Sequence, residues 1–242
     1  MKKYQTAQTM GSDLSEYFEV HEKRFEILEE TIKKIGLQKG DKVLDVGCFP
    51  PRIMEFGEDL GFEMFGVAYE TEQVVGENIK VLDVVKEKLP WENHFFDLVI
   101  MTEVIEHIPY DPRLVLGEIR RVLKHGGMLI LTTPNAARLQ VIGELILGKP
   151  LGITLNQLKN TKPNDGSIYQ RHNKEYIKVE LEELLSEMGF KETEVNYSCF
   201  YPPTRRRVRN RNLWARVFNW LGYLPQLLVP RFRDSLFVQT RV

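Results

Sequence analysis

Hydrophobic positions along the chain follow two periods. Residues 13–35 carry Leu14, Phe18, Phe25, Leu28, Ile32 and Ile35 at three- and four-residue spacing or its multiples, which predicts an amphipathic helix. Ser12 or Asp13 can cap its start, and Gly36 can end it. Five short apolar runs follow: Lys42–Gly47, Met64–Glu70, Ile79–Val84, Phe96–Thr102 and Gly127–Thr133. Several are nearly continuous in Val, Ile and Leu, as strands buried on both faces are. Helical stretches lie between most of them. The clearest opens at Asp111-Pro112, buries Val115, Ile119, Val122 and Leu123, and closes at Gly126. Strands alternating with helices imply βαβ units, a parallel sheet and right-handed crossovers.

The pattern changes after Pro134. Residues 136–147 read as a helix with Leu139, Ile142, Leu145 and Ile146 on one side. Residues 148–172, rich in Gly, Pro, Asn and Thr, read as a long loop, and loops of that length are uncommon unless functional or disordered. Asn173 is positioned to cap a further helix that buries Ile177, Leu181, Leu184, Leu185 and Met188 and ends at Gly189. Lys191–Phe200 and Asp234–Val242 read as the last strands. The expected organisation is one domain over 1–242, with a helical cap at 1–39, a lid-like insertion at 136–172 and a basic amphipathic insertion at 204–233.

Composition changes this picture little. The chain has 242 residues, 43% hydrophobic and 28% charged, which excludes wholesale disorder and is long enough to bury a large core. Two cysteines, Cys48 and Cys199, cannot form a disulfide framework, and no apolar leader or run of 18 apolar residues is visible, so a cytoplasmic protein is expected. Charge is more informative. Eight arginines and no acid lie between Thr204 and Arg233, so a net charge of -1 leaves -9 on the rest of the chain. Next to Leu213, Trp214, Phe218, Trp220 and Leu221, these arginines read as an interfacial helix for membrane or lipid-like contact, or as an oligomer or packing helix for a homodimer. A nucleic-acid partner is the least favoured of the three.

In an open α/β sheet, ligands bind outside the carboxyl ends of the strands. Four such ends carry acids here: Asp45 before Gly47, then Glu70, then Asp83, then Glu103 after Thr102. A carboxylate there can accept both hydroxyls of a ribose or the exocyclic amine of a purine, which suits a nucleoside with little phosphate.

VLDVGC, a Glu 23 residues after Gly47, VLDV, LPW, FDLVIMTEVIEHI and LKHGGMLILTTPN together resemble the class I S-adenosylmethionine-dependent methyltransferases. They are most similar to the branch that methylates quinones, lipids and sugars at oxygen, over roughly residues 40–200. The resemblance implies a Rossmann-like seven-stranded, mostly parallel sheet with helices on both faces and an antiparallel last strand. It implies that Asp45 and Gly47, with Cys48 and Phe49 on the same turn, hold the methionine part of S-adenosylmethionine. Glu70 would hold the ribose, Asp83 and Val84 the adenine edge, and Thr102 the floor near the sulfonium. Glu103 or His107 would be the base, and Tyr169, Arg171 and His172 would cover a small-molecule, glycan or lipid-linked acceptor.

One departure stands out. The family's second and third glycines are replaced by Phe49 and Pro51, and two prolines remove two N–H donors, so the loop must be reshaped. A binding protein that keeps the fold without turnover is the rival reading. Several assignments also have plain alternatives. Asp45 and Asp83 are common turn-capping types, Cys48 fits a small core position, and His107 fits a packed or solvated one. A helical turn over 103–108 would point Glu103 and His107 the same way. Histidine and cysteine are too few and too scattered for a zinc site, so no metal is expected.

Overall fold

A computed structural model describes residues 14–69, 76–149, 159, 167–201 and 223–242. Seven strands form one sheet in the order β3-β2-β1-β4-β5-β7-β6. They are β1 (Lys42–Val46), β2 (Glu63–Ala68), β3 (Ile79–Val81), β4 (Phe96–Thr102), β5 (Leu123–Pro134), β6 (Lys191–Ser198) and β7 (Ser235–Arg241). β7 runs antiparallel to both β5 and β6, and the other pairs are parallel. The expected sheet and its antiparallel last strand are therefore present.

Alternate residues of the central strands serve opposite faces, because successive side chains point to opposite sides of a sheet. Val43, Leu98, Ile100, Ile130 and Phe237 pack under α1 (Leu14–Lys34) and α2 (Arg52–Asp59). Leu44, Val99, Met101, Leu129 and Leu131 pack under α3 (Arg113–Val122) and α5 (Lys178–Glu187). Leu98, Val99, Ile100 and Met101 have no exposed surface at all. Each such side chain contributes about 1.5–3 kcal/mol relative to an exposed one. That double burial is why these runs lack polar alternation.

Several boundaries differ from expectation. α3 stops at Val122, not at Gly126, and Leu123 already pairs with Phe96 of β4. Its last carbonyls are taken by the preceding loop: His94 and Phe95 donate their N–H groups to Arg121 and Val122. Gly126, at φ +77°, lies instead in an irregular stretch of β5 where its N–H reaches the carbonyl of Val242. α5 starts at Lys178, with Glu180 accepting the Ile177 N–H, so Asn173 does not cap it. β2 ends at Ala68 and β3 at Val81, so Leu82, Asp83 and Val84 emerge above the sheet. α4 (Leu139–Ile146) buries no residue and leaves Leu145 and Ile146 exposed. Most of the loop after it, and most of the arginine block, lies outside the described residues. No helix among the described residues is long and apolar enough to cross a membrane.

Candidate active site

A cleft of about 230 Å3 opens at the carboxyl ends of β1, β2 and β4. Its floor and walls include Asp45, Gly47, Phe49, Tyr69, Thr102 and Glu103, and α1 contributes Tyr17 and Arg24 from above. Gly47 makes the turn possible. Its φ is +82°, and a Cβ there would lie 2.6 Å from the side chain of Val104. A glycine bears both conditions without strain.

The loop after Gly47 is reshaped. The N–H groups of Gly47 and Cys48 both donate to the carbonyl of Val67, so they tie β1 to β2. Phe49 and Pro50 line the cleft wall without filling it. Cys48 is buried against Gly66, and burial pushes its thiol up, away from the reactive thiolate. Glu70 lies outside the described residues.

Two carboxylates line the cleft within the field of one guanidinium, that of Arg24. Asp45 is 3% exposed, and burial pushes its carboxyl up to about 7, with Arg24 pulling the other way. Glu103 accepts a hydrogen bond from Thr132 Oγ1 at 2.9 Å, and its other oxygen lies 3.7 Å from Arg24 Nη1. Burial raises its carboxyl, and Arg24 and Thr132 oppose the rise. Arg24 also donates to the hydroxyl of Tyr17, and its Nε has no partner among the described residues.

Asp83 stands at the far end of the crevice. Its Oδ2 accepts from Tyr169 Oη and from Lys86 Nζ, and its Oδ1 from the Val85 N–H. Burial pushes this carboxyl up, but the hydrogen bonds from Tyr169, Lys86 and Val85 outweigh it and hold the group below the usual range. The Tyr169 ring also packs on Tyr69, 4.8 Å between centroids. Val84 packs partly buried against the core beside this edge.

Glu103 and His107 are not on one helical turn. Glu103 has a left-handed φ of +54°, and only Ile105–His107 form a 3-10 turn. Thr132 and Thr133 are neighbours on β5 and point to opposite faces of the sheet. The first binds Glu103, and the second donates to Glu106 Oε2 at 2.9 Å. The two glutamates thus straddle the sheet edge.

Glu106 is completely buried, and its Oε1 has no hydrogen-bond partner among the described residues. Burial, then the charge of Glu103, raises its carboxyl well above the usual range. His107 Nδ1 meets the carbonyl of Arg171 at 3.0 Å, and its Nε2 lies 3.9 Å from that free oxygen of Glu106. Burial and the neighbouring His172 lower the imidazole. His172 packs edge-on against His107 and meets Glu175 through Nδ1 at 2.9 Å. Glu175 is in turn clamped by Arg138, and its carboxyl is held down to about 2 by His172 and Arg138 against the push of burial.

Asn173 fastens this loop. Its amide donates to the carbonyls of His107 and Ile168, and its N–H reaches the carbonyl of Glu106. Folding therefore gathers what the sequence scatters: ligand atoms of Glu106, His107 and His172 all lie within 4.8 Å of one another. Of the three residues expected at the acceptor, Tyr169 sits beside Asp83, while Arg171 and His172 sit beside His107. Sequence reasoning missed Arg24, Glu106, Asn173 and Glu175. Arg24 alone had a visible signal, since it falls on the inward stripe with Tyr17 and Leu28.

Fold and family define a Rossmann-like enzyme of the class I methyltransferase architecture, with a cleft at the carboxyl edge of the sheet. Residues 20–195 match a family described as a methyltransferase domain, and the chain belongs to that family. S-adenosylmethionine is the methyl donor of the class. A ubiquinone biosynthesis O-methyltransferase of Pseudomonas fluorescens is 33% identical over 113 residues, 43% of this chain and 48% of that protein. A demethylmenaquinone methyltransferase of Staphylococcus aureus is 26% identical over 185 residues, 67% of this chain and 73% of that one. The crystal structure of a SAM dependent methyltransferase from Archaeoglobus fulgidus superposes with a TM-score of 0.59 at 15% identity, covering 96% of this chain and all of that one.

Proposed function

We infer that the protein transfers the methyl group of S-adenosylmethionine to a hydroxyl of a small-molecule, glycan or lipid-linked acceptor. The observation that carries this reading is that buried Asp45 and part-buried Glu103 line one cleft with Arg24, whose charge acts on both, above a floor that turns at Gly47. Asp45 and Gly47 would hold the methionine end of the cofactor, with Thr102 beneath it. Asp83 and Val84 would take the adenine edge, and Glu70 the ribose. The sulfonium is itself a strong electrophile, so the protein's task is to align acceptor and methyl carbon. The acceptor oxygen forms the new C–O bond as the C–S bond breaks, and the C–S electron pair stays on sulfur. Glu103, held above the usual carboxylate range, would accept the hydroxyl proton. His107, whose Nδ1 is held by the carbonyl of Arg171, is the second candidate for that step.

Oxygen as the target is supported by the relative named for O-methylation. A lipid-like acceptor is supported by exposed Ile146, Leu147 and Leu228, and by the arginine-rich stretch that precedes the last of these. The test is calorimetric titration with S-adenosylhomocysteine, followed by mass spectrometry of reactions with a catechol or quinol, a sugar and a polyprenylated phenol. Binding together with a +14 Da product on one hydroxyl class is expected, where the increment is the mass of CH2. Absence of both would overturn the reading.

A further inference from the structure

The turn after β4 carries a second constellation, of which the methyl transfer described draws only on His107, as an alternative base. Glu106 Oε1 is fully enclosed and meets no donor among the described residues. A buried carboxyl oxygen without a partner is costly. The group facing it is His107 Nε2, at 3.9 Å. The other nitrogen of that ring, Nδ1, meets a backbone carbonyl, which can only accept. Backbone hydrogen bonds to Arg171 and Tyr169 hold the ring, and with the proton on Nδ1 the Nε2 lone pair is left toward Glu106. A cation seated in this 3.9 Å gap would be met by an oxygen of Glu106 and by Nε2 of His107.

His172 repeats the arrangement. Its Nδ1 meets the Glu175 carboxylate, which Arg138 holds in place. That fixes the proton on Nδ1 and leaves Nε2 as a donor of electrons. A histidine whose far nitrogen is held by a carboxylate or carbonyl is how proteins orient imidazole toward a metal. Both histidines have such a partner here. The backbone supports this placement too, since Asn173 locks the loop bearing His172 onto the carbonyls of Glu106 and His107.

We propose that Glu106, His107 and His172 form a binding site for a divalent first-row cation, with a 2-His-1-carboxylate donor set open on the side of His172. The ligand atoms lie within 4.8 Å of one another. Bonds of about 2.0–2.2 Å would draw them closer by roughly 1 Å, and half-exposed His172 is free to supply that movement. Mixed imidazole and carboxylate donors suit Mn, Fe, Co or Zn better than Ca. Glu103 lines the cleft with Thr102, and His172 acts electrostatically on Glu103, so the His172 side of the site is the side nearest the cleft. Resting on the methyl-transfer reading, the ion would bind the acceptor hydroxyl, make it more acidic and leave Glu103 to remove its proton. An acceptor with two adjacent oxygens, a catechol or a vicinal diol, would fill two open positions.

The experiment uses the full chain, stripped with EDTA and titrated with Mn2+ by electron paramagnetic resonance and with Co2+ by visible absorption. One ion per chain is expected, with d–d bands characteristic of nitrogen and oxygen ligands. Glu106→Gln, His107→Ala and His172→Ala should each weaken binding by about tenfold or more. Circular dichroism separates loss of the site from loss of the fold. Glu175→Gln, which only orients His172, should weaken binding less and tests the site without touching a ligand. Titration with S-adenosylhomocysteine is run alongside. Metal bound without the nucleoside would sink the methyl-transfer reading alone. Nucleoside bound with no Mn2+ or Co2+ binding, or with binding unchanged in all four variants, would overturn the metal site alone.

Discussion

The hydroxyl of Tyr169 donates to Asp83 Oδ2 at 2.8 Å, joining the loop before α5 to the end of β3 across 86 residues of chain. The same ring packs on Tyr69, which lines the cleft. Tyr169 therefore holds the carboxylate assigned to adenine and closes the crevice at that end. Tyr169→Phe keeps the ring contact and removes one hydrogen bond. Affinity for S-adenosylhomocysteine should fall about 2- to 10-fold, the worth of one such bond. Asp83→Ala should cost more, because three donors lose their acceptor. Calorimetry on both variants checks the order.

Gly47→Ala should damage fold and cofactor binding together. Alanine at φ +82° costs about 1–2 kcal/mol, and its Cβ would meet Val104 at 2.6 Å. Each kcal/mol corresponds to about 2–4 °C in Tm for a chain of this size. Adding Val104→Ala should relieve the collision and recover part of the Tm, but not the backbone term. Full recovery in the double variant would show that the left-handed conformation contributes nothing.

The sheet was legible because its central strands are buried on both faces, so Val43, Leu44, Leu98, Val99 and Ile100 form unbroken apolar runs. The α3–β5 boundary was not. Leu123 continues the helical apolar pattern, and only pairing with Phe96 and capture of the last carbonyls by His94 and Phe95 make it a strand. The strand-end acids were visible as types, and Asp45 and Glu103 do meet at one cleft. Glu106 was visible only as one acid among several. Its burial depends on Thr133, 27 residues onward, and on Asn173, and no local pattern carries such distances. The same holds for the meeting of His107 with His172.

Stability should depend on pH through the buried acids. Asp45 titrates near 7 in the fold and near 4 in an unfolded chain, so its contribution is fully present below about pH 4 and is lost as pH rises through about 7. Glu103 and Glu106 act in the same direction. His107, lowered in the fold, acts in the opposite direction below its unfolded value, and Glu175 does so only in strong acid. Asp45→Asn removes one of the three rising acids. Its Tm should fall less than the wild type's between about pH 5 and pH 8. Parallel Tm profiles for the two proteins would show that Asp45 ionises normally.

Arg24 gives the sharpest test of the cleft's electrostatics. It is 4% exposed, lies 3.7 Å from Glu103, and opposes the rise of both Asp45 and Glu103. Arg24→Met keeps an unbranched chain against Phe25 and removes the charge. Both carboxyls then rise further, so more of each is protonated at neutral pH. Loss of stability should be larger at about pH 8 than at about pH 5, because the penalty grows as the uncompensated acids are forced to ionise. If Glu103 is the base, the acid limb of the kcat profile should move to higher pH. Each unit of that move lowers the rate on the limb roughly tenfold and leaves the high-pH plateau in place. A merely structural Arg24 would lower the whole profile without shifting it. Arg24→Lys should restore most of the limb's position but less of the rate, since an ammonium cannot reach Tyr17 and Glu103 with the same fork.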